Sequence, residues 1–83
     1  MTIRKHIESE LVNHGLWPEE AEIVMTELEN DKTSESMRGR WDADITDYPP
    51  QLFPALWIGA KRIALEWIEK NKPMHFAKAL LST

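Results

Sequence analysis

From Phe53 to Ile68 apolar side chains recur at three- and four-residue steps: Phe53, Leu56, Trp57, Ala60, Ile63, Ala64, Trp67 and Ile68. Only a helix places such a set on one broad face. Ile58 and Leu65, seven residues apart, widen that face, so the helix is expected to pack on more than one side. Pro54 lacks a backbone N–H and is tolerated only in a first turn, which puts the helix start near Gln51. Arg62, Glu66 and Lys70 occupy the outer face at i,i+4 steps.

Two shorter helices precede it. Residues 3–14 place Ile3, Ile7, Leu11 and His14 along one face, with Thr2 as the N-cap and Gly15 as the left-handed residue that ends the helix. Pro18 opens the second helix, and Glu19 and Glu20 follow where the helix dipole favours negative charge. Ala21, Val24, Met25 and Leu28 form its buried stripe, and Ile23 points elsewhere. The short link makes residues 3–29 an antiparallel hairpin, with Leu16 and Trp17 expected to close its apolar end.

Residues 30–50 break the periodicity. Lys32–Ser36 can seed one helical turn, and Met37 and Trp41 are the only large apolar residues before Ile45. A loop of this length in so small a domain is commonly functional or loosely ordered. After the long helix, Pro73 opens a short fourth one through Leu81, with Phe76, Ala77, Leu80 and Leu81 as its apolar set. No strand-like alternation persists anywhere in the chain. The expected fold is all-α: a single domain over residues 1–83, three main helices plus a short C-terminal helix, the hairpin packed on the Trp-rich third helix.

Eighty-three residues give a thin core, and without cysteine neither a disulfide nor a thiolate metal site can reinforce it. The N-terminus is charged with no apolar run behind it, unlike a signal peptide. The longest uncharged stretch, Tyr48 to Ala60, is too short to span a membrane and holds three prolines. A cytoplasmic protein with no membrane association is expected.

Charge is unevenly spread. Residues 1–31 carry two basic and eight acidic side chains, a net of −6, while residues 32–83 carry eight basic and six acidic, a net of +2. The hairpin resembles a helix-turn-helix in outline, but its second helix bears five glutamates where a recognition helix would meet phosphates. This charge argues against nucleic-acid binding. Asp42-Ala43-Asp44-Ile45-Thr46-Asp47 superficially looks like a calcium loop, yet it lacks the glycine at position six, and Phe53 stands where the bidentate glutamate belongs. His6 and His14 are eight apart and His75 is isolated, so no metal-ligand spacing exists. No nucleophile elbow or glycine-rich phosphate cradle occurs either, and the chain reads as a non-enzyme without cofactors.

The best site candidate is Met37-Arg38-Gly39-Arg40-Trp41 followed by Tyr48-Pro49-Pro50. Two guanidinium groups and an aromatic ring suit an anionic ligand that also stacks, with Lys61 and Arg62 as further cations. The competing reading has Trp41 and Tyr48 pin the loop onto the third helix while the arginines pair with Asp42, Asp44 or Asp47. Aromatic anchors in loops of small domains usually fill the core, which favours the second. Four tryptophans are more than so small a core needs, and an exposed one beside arginine has interface composition, pointing to self-association or partner binding. Glu19, Glu20 and Glu27 form a candidate acidic face that would steer a basic partner.

The run from Met37 to Phe76 resembles a set of small uncharacterised proteins of bacteriophages and prophages. Gly39-Arg40-Trp41, Tyr48-Pro49, Leu56-Trp57, Glu66-Trp67-Ile68 and Pro73-Met74-His75-Phe76 carry the resemblance. It implies an accessory protein acting inside a bacterial host, commonly an inhibitor of host or defence machinery, with a few members of such sets binding nucleotide signals. It brings no functional residues with it. The expectation that follows is an interaction protein that inhibits or modulates a host protein; the alternative is a binder of an anionic nucleotide.

Overall fold

The computed structural model describes residues 1–71. The short helix expected at Pro73–Leu81 lies outside them. Three helices, α1 (Ile3–Asn13), α2 (Pro18–Asn30) and α3 (Phe53–Asn71), make an all-α bundle. Helix α2 packs against both α1 and α3, and α1 also meets α3. Most of the expected apolar stripes form the core: Ile3, Ile7 and Leu11 from α1, Ala21, Val24, Met25 and Leu28 from α2, and Ala60, Ile63, Ala64 and Ile68 from α3 are buried, while Phe53, Leu56, Trp57 and Trp67 are half-buried against it and His14 is half-buried.

The turn between α1 and α2 follows from its sequence. Gly15 takes φ 103°, a conformation that costs glycine nothing. The Leu16 N–H then reaches back to the Leu11 carbonyl at 3.1 Å, and the Gly15 N–H to that of Val12 at 3.0 Å. These are the two bonds of a Schellman cap, and the apolar contact that usually accompanies it is supplied by Leu16 and Leu11, both buried. Trp17 does not join Leu16 in closing the apolar end, because it is 56% exposed. As the residue ahead of Pro18 it is extended, with φ −74° and ψ 154°.

Residues 31–52 are compact. Three 3₁₀ turns, Lys32–Met37, Ile45–Asp47 and Pro50–Leu52, take up most of the connection, the first where a helical turn was expected. Met37 and Trp41, each 5% exposed, plug this segment into the core. Helix α3 begins just after the third turn, with Pro54 in its first turn. It does not bury all of its apolar residues: Leu65 is half-buried against the core, but Ile58 remains 65% exposed among the described residues.

Candidate functional site

The first turn of a helix leaves its backbone N–H groups without partners inside the helix. In α1 the connecting segment supplies them. The Ile3 N–H donates to the Ala43 carbonyl at 2.9 Å and the Arg4 N–H to the Trp41 carbonyl at 3.0 Å. Thr2 Oγ1 accepts from the Lys5 N–H at 3.1 Å, as an N-cap should. In return the Ile45 N–H donates to the Met1 carbonyl at 2.9 Å, completing an isolated antiparallel bridge between Thr2 and Asp44. Residues 41–45 are thus stitched to the helix start while the indole of Trp41 is held in the core.

Side chains reinforce the seam. The Arg4 guanidinium bridges Glu29 of α2 and Asp42 of the segment, its Nε donating to Glu29 Oε1 at 2.6 Å. The hydrogen bond that Arg4 donates to Glu29, together with the charge of Glu29, holds Arg4 still more firmly protonated than usual. Asp44 caps the second 3₁₀ turn: the Thr46 hydroxyl and N–H donate to Oδ1 at 2.7 and 2.9 Å. Those bonds, with the N-terminal ammonium 3.5 Å from Oδ2, lower the Asp44 carboxyl below the ordinary aspartate range.

This seam builds a cleft of about 260 Å³ lined by His6, Ile45, Tyr48, Pro50 and Phe53. Side chains three apart eclipse one another in a 3₁₀ turn, so Ile45 and Tyr48 come to the same side. His6 forms the opposite wall from α1, its ring edge-on to Phe53 with centroids 4.8 Å apart at 71°. One aliphatic side chain, a proline and three flat rings give the cleft an apolar floor with two polar handles, the imidazole and the phenol.

The residues proposed from sequence for anion binding are not brought together. Trp41 is buried, so its ring presents no face for stacking. Arg38 is exposed and lies 3.8 Å from Glu35, beside a mixed polar pocket that also contains Glu29 and Asp31. Arg40 is exposed on the turn around Gly39, which has φ 78°. Arg62 sits on α3 and bridges Glu66 at 2.9 Å and Asp31 at 3.0 Å, with Glu66 the larger cause of its raised pKa. Lys61, next to it, is half-buried. Of the aspartates expected to pair with Arg38 and Arg40, Asp42 is engaged instead by Arg4 and Asp44 by the N-terminus. Of the six, Tyr48 lines the apolar cleft.

The acidic face also changes in membership. Glu19 and Glu27 are exposed, but Glu20 is only 8% exposed, and its Oε1 accepts the Trp17 N–H at 2.9 Å. It serves the start of α2 and is withdrawn from any partner. Glu27 borders a groove between α2 and α3 with Trp67, Glu66 and Lys70.

His6, Phe53 and Arg4 carried no signal that singles them out in sequence. The spacing of Ile45 and Tyr48 did, once the segment between them is known to be 3₁₀. Among the described residues no group of three or more His, Asp or Glu is placed to hold a metal ion, and no helix is long and apolar enough to cross a membrane. His14 turns its ring toward Trp57, with centroids 5.0 Å apart, and its Nδ1 lies 2.7 Å from the Glu10 carbonyl. Comparison with family models, curated proteins and solved structures gives no match to this chain.

Proposed function

We propose that this is a non-catalytic interaction protein that docks on a partner protein through the face formed by the start of α1, residues 41–52 and the start of α3. The setting implied by the resemblance is a phage-encoded inhibitor or modulator and a host protein as its target. The observation that carries the proposal is the cleft of His6, Ile45, Tyr48, Pro50 and Phe53, an apolar recess held open by backbone bonds from both sides. A recess already formed before binding loses little conformational freedom when it is filled, and aromatic-lined recesses of this kind are where interfaces concentrate their energy. The arginines that a nucleotide would require are dispersed, two of them beside carboxylates.

The test is capture from bacterial lysate by tagged wild-type protein and by Ile45→Phe, which puts a larger side chain in the recess lining, with urea midpoints of both checking that the fold is kept. A host protein retained by the wild type and lost with Ile45→Phe supports the reading. Retention by both, or by neither, removes this face from consideration. A thermal-shift series with nucleotides addresses the alternative: a ligand that binds only the folded chain raises its melting temperature. No shift is expected at ligand concentrations up to the millimolar range.

A further inference from the structure

The charge around the cleft identifies the chemistry of what fills it. From Trp41 to Ala60 the chain has three aspartates, Asp42, Asp44 and Asp47, and neither lysine nor arginine. This stretch supplies four of the five residues that line the recess. All three aspartates are exposed; Asp44 caps the turn that carries Ile45, and Asp47 is its last residue. On α1, Glu10 follows His6 by one helical turn and is half-exposed. The cations on this seam are already engaged: Arg4 by Glu29 and Asp42, the N-terminal ammonium by Asp44. Among the described residues Asp47 has no such cation beside it. The result is an apolar recess for one side chain, with the exposed carboxylate of Asp47 next in sequence to Tyr48 in its lining.

Resting on the docking reading above, we infer that the occupant is a basic segment of the partner protein, which places one aliphatic or proline side chain in the recess and lysine or arginine over Asp47. An acidic partner would be repelled there, and a purely apolar one would leave Asp47 facing it without compensation. The recess suits a single side chain: its flat walls, His6, Tyr48 and Phe53, favour aliphatic CH groups and the ring of proline. Charge also sets the kinetics, because a basic segment is steered to this face at low salt and less so as salt screens the aspartates.

The probe is a random dodecapeptide library displayed on a carrier and selected on the whole chain, followed by affinity measurements on the enriched peptides. The expected peptides have an aliphatic or proline residue within two positions of lysine or arginine. Their affinity falls at least tenfold with Ile45→Phe and threefold or more with Asp47→Lys, a surface change that leaves the helical circular-dichroism signal intact. It also weakens as salt is raised from 50 to 500 mM. Enrichment of acidic or uncharged peptides, binding indifferent to Ile45→Phe, or no enrichment at all overturns the inference. Host-protein capture that needs an open recess but is unaffected by Asp47→Lys and by salt overturns the basic occupant alone and leaves the docking face standing.

Discussion

Replacing Trp41 by alanine separates the two roles that the sequence leaves open for it. The indole is 5% exposed, so truncation removes nearly all of a large buried surface. A buried tryptophan covers about 150–250 Å², which at about 25 cal/mol per Å² corresponds to roughly 4–6 kcal/mol. The unfolded chain is itself partly collapsed, which lowers this value. Aromatic-to-alanine changes in cores cost about 3–5 kcal/mol, and the expected loss here is about 4 kcal/mol. The backbone bond from the Arg4 N–H to the residue 41 carbonyl survives, so the loss reports the side chain. A chain of this length is stabilised by about 4–12 kcal/mol at the usual value per residue, so the variant sits close to unfolding. Urea titration followed at 222 nm should show the midpoint falling by about 2–4 M at an m-value of about 1–2 kcal/mol/M. Trp41→Phe should lose less than half as much. If Trp41→Ala instead retains the midpoint within about 0.5 M and an unchanged m-value, the ring is not a core anchor and the whole placement of residues 37–45 falls with it.

Three further perturbations test separate parts of the structure. Glu20→Ala removes the buried acceptor of the Trp17 N–H and should cost about 1–2 kcal/mol in urea unfolding, with Glu20→Gln, which still accepts, costing less than half of that. A double-mutant cycle on Arg4 and Glu29 should give a coupling of about 1 kcal/mol, and one on Arg4 and the largely exposed Asp42 should give less, both shrinking in 1 M salt. The Asp44 carboxyl is lowered in the folded state, chiefly by Thr46, so it adds stability above its unfolded value of about 3.9 and loses it as pH falls through the lower folded value. Urea midpoints of Asp44→Asn against the wild type should therefore differ at pH 6 and converge towards pH 2; a constant difference would assign the effect to something other than ionisation.

Much of the helical framework was legible because its signals are local. The stripes of α1, α2 and α3, the Schellman turn at Gly15 and the positions of Pro18 and Pro54 follow from periodicity and from backbone restrictions that a residue carries wherever it is placed. The exposure of Trp17 and Ile58 was not legible: both sit in apolar patterns, and only the arrangement of three helices determines which flank stays uncovered. The same holds for Glu20, which composition assigns to an acidic face and a single backbone bond removes from it. Of the candidate site, Tyr48 lines the recess. The remainder was hidden because His6, Ile45 and Phe53 lie on three elements that meet only after the segment has closed over α1.

The anchoring of residues 37–50 and the docking role proposed for them are linked as consecutive steps of one construction. Burial of Met37 and Trp41 fixes where the segment leaves the core, and the carbonyls of Trp41 and Ala43 then meet the unpaired amides of α1. That pairing sets the register of Ile45 against Met1, and the 3₁₀ turn capped by Asp44 brings Tyr48 round to the side of Ile45. Only then does an apolar recess exist between them, His6 and Phe53. A substitution at Trp41 should consequently abolish binding by loosening the recess, while one at Ile45 should block it with the fold intact. Measured together, stability and binding should fall in parallel for the first and part company for the second.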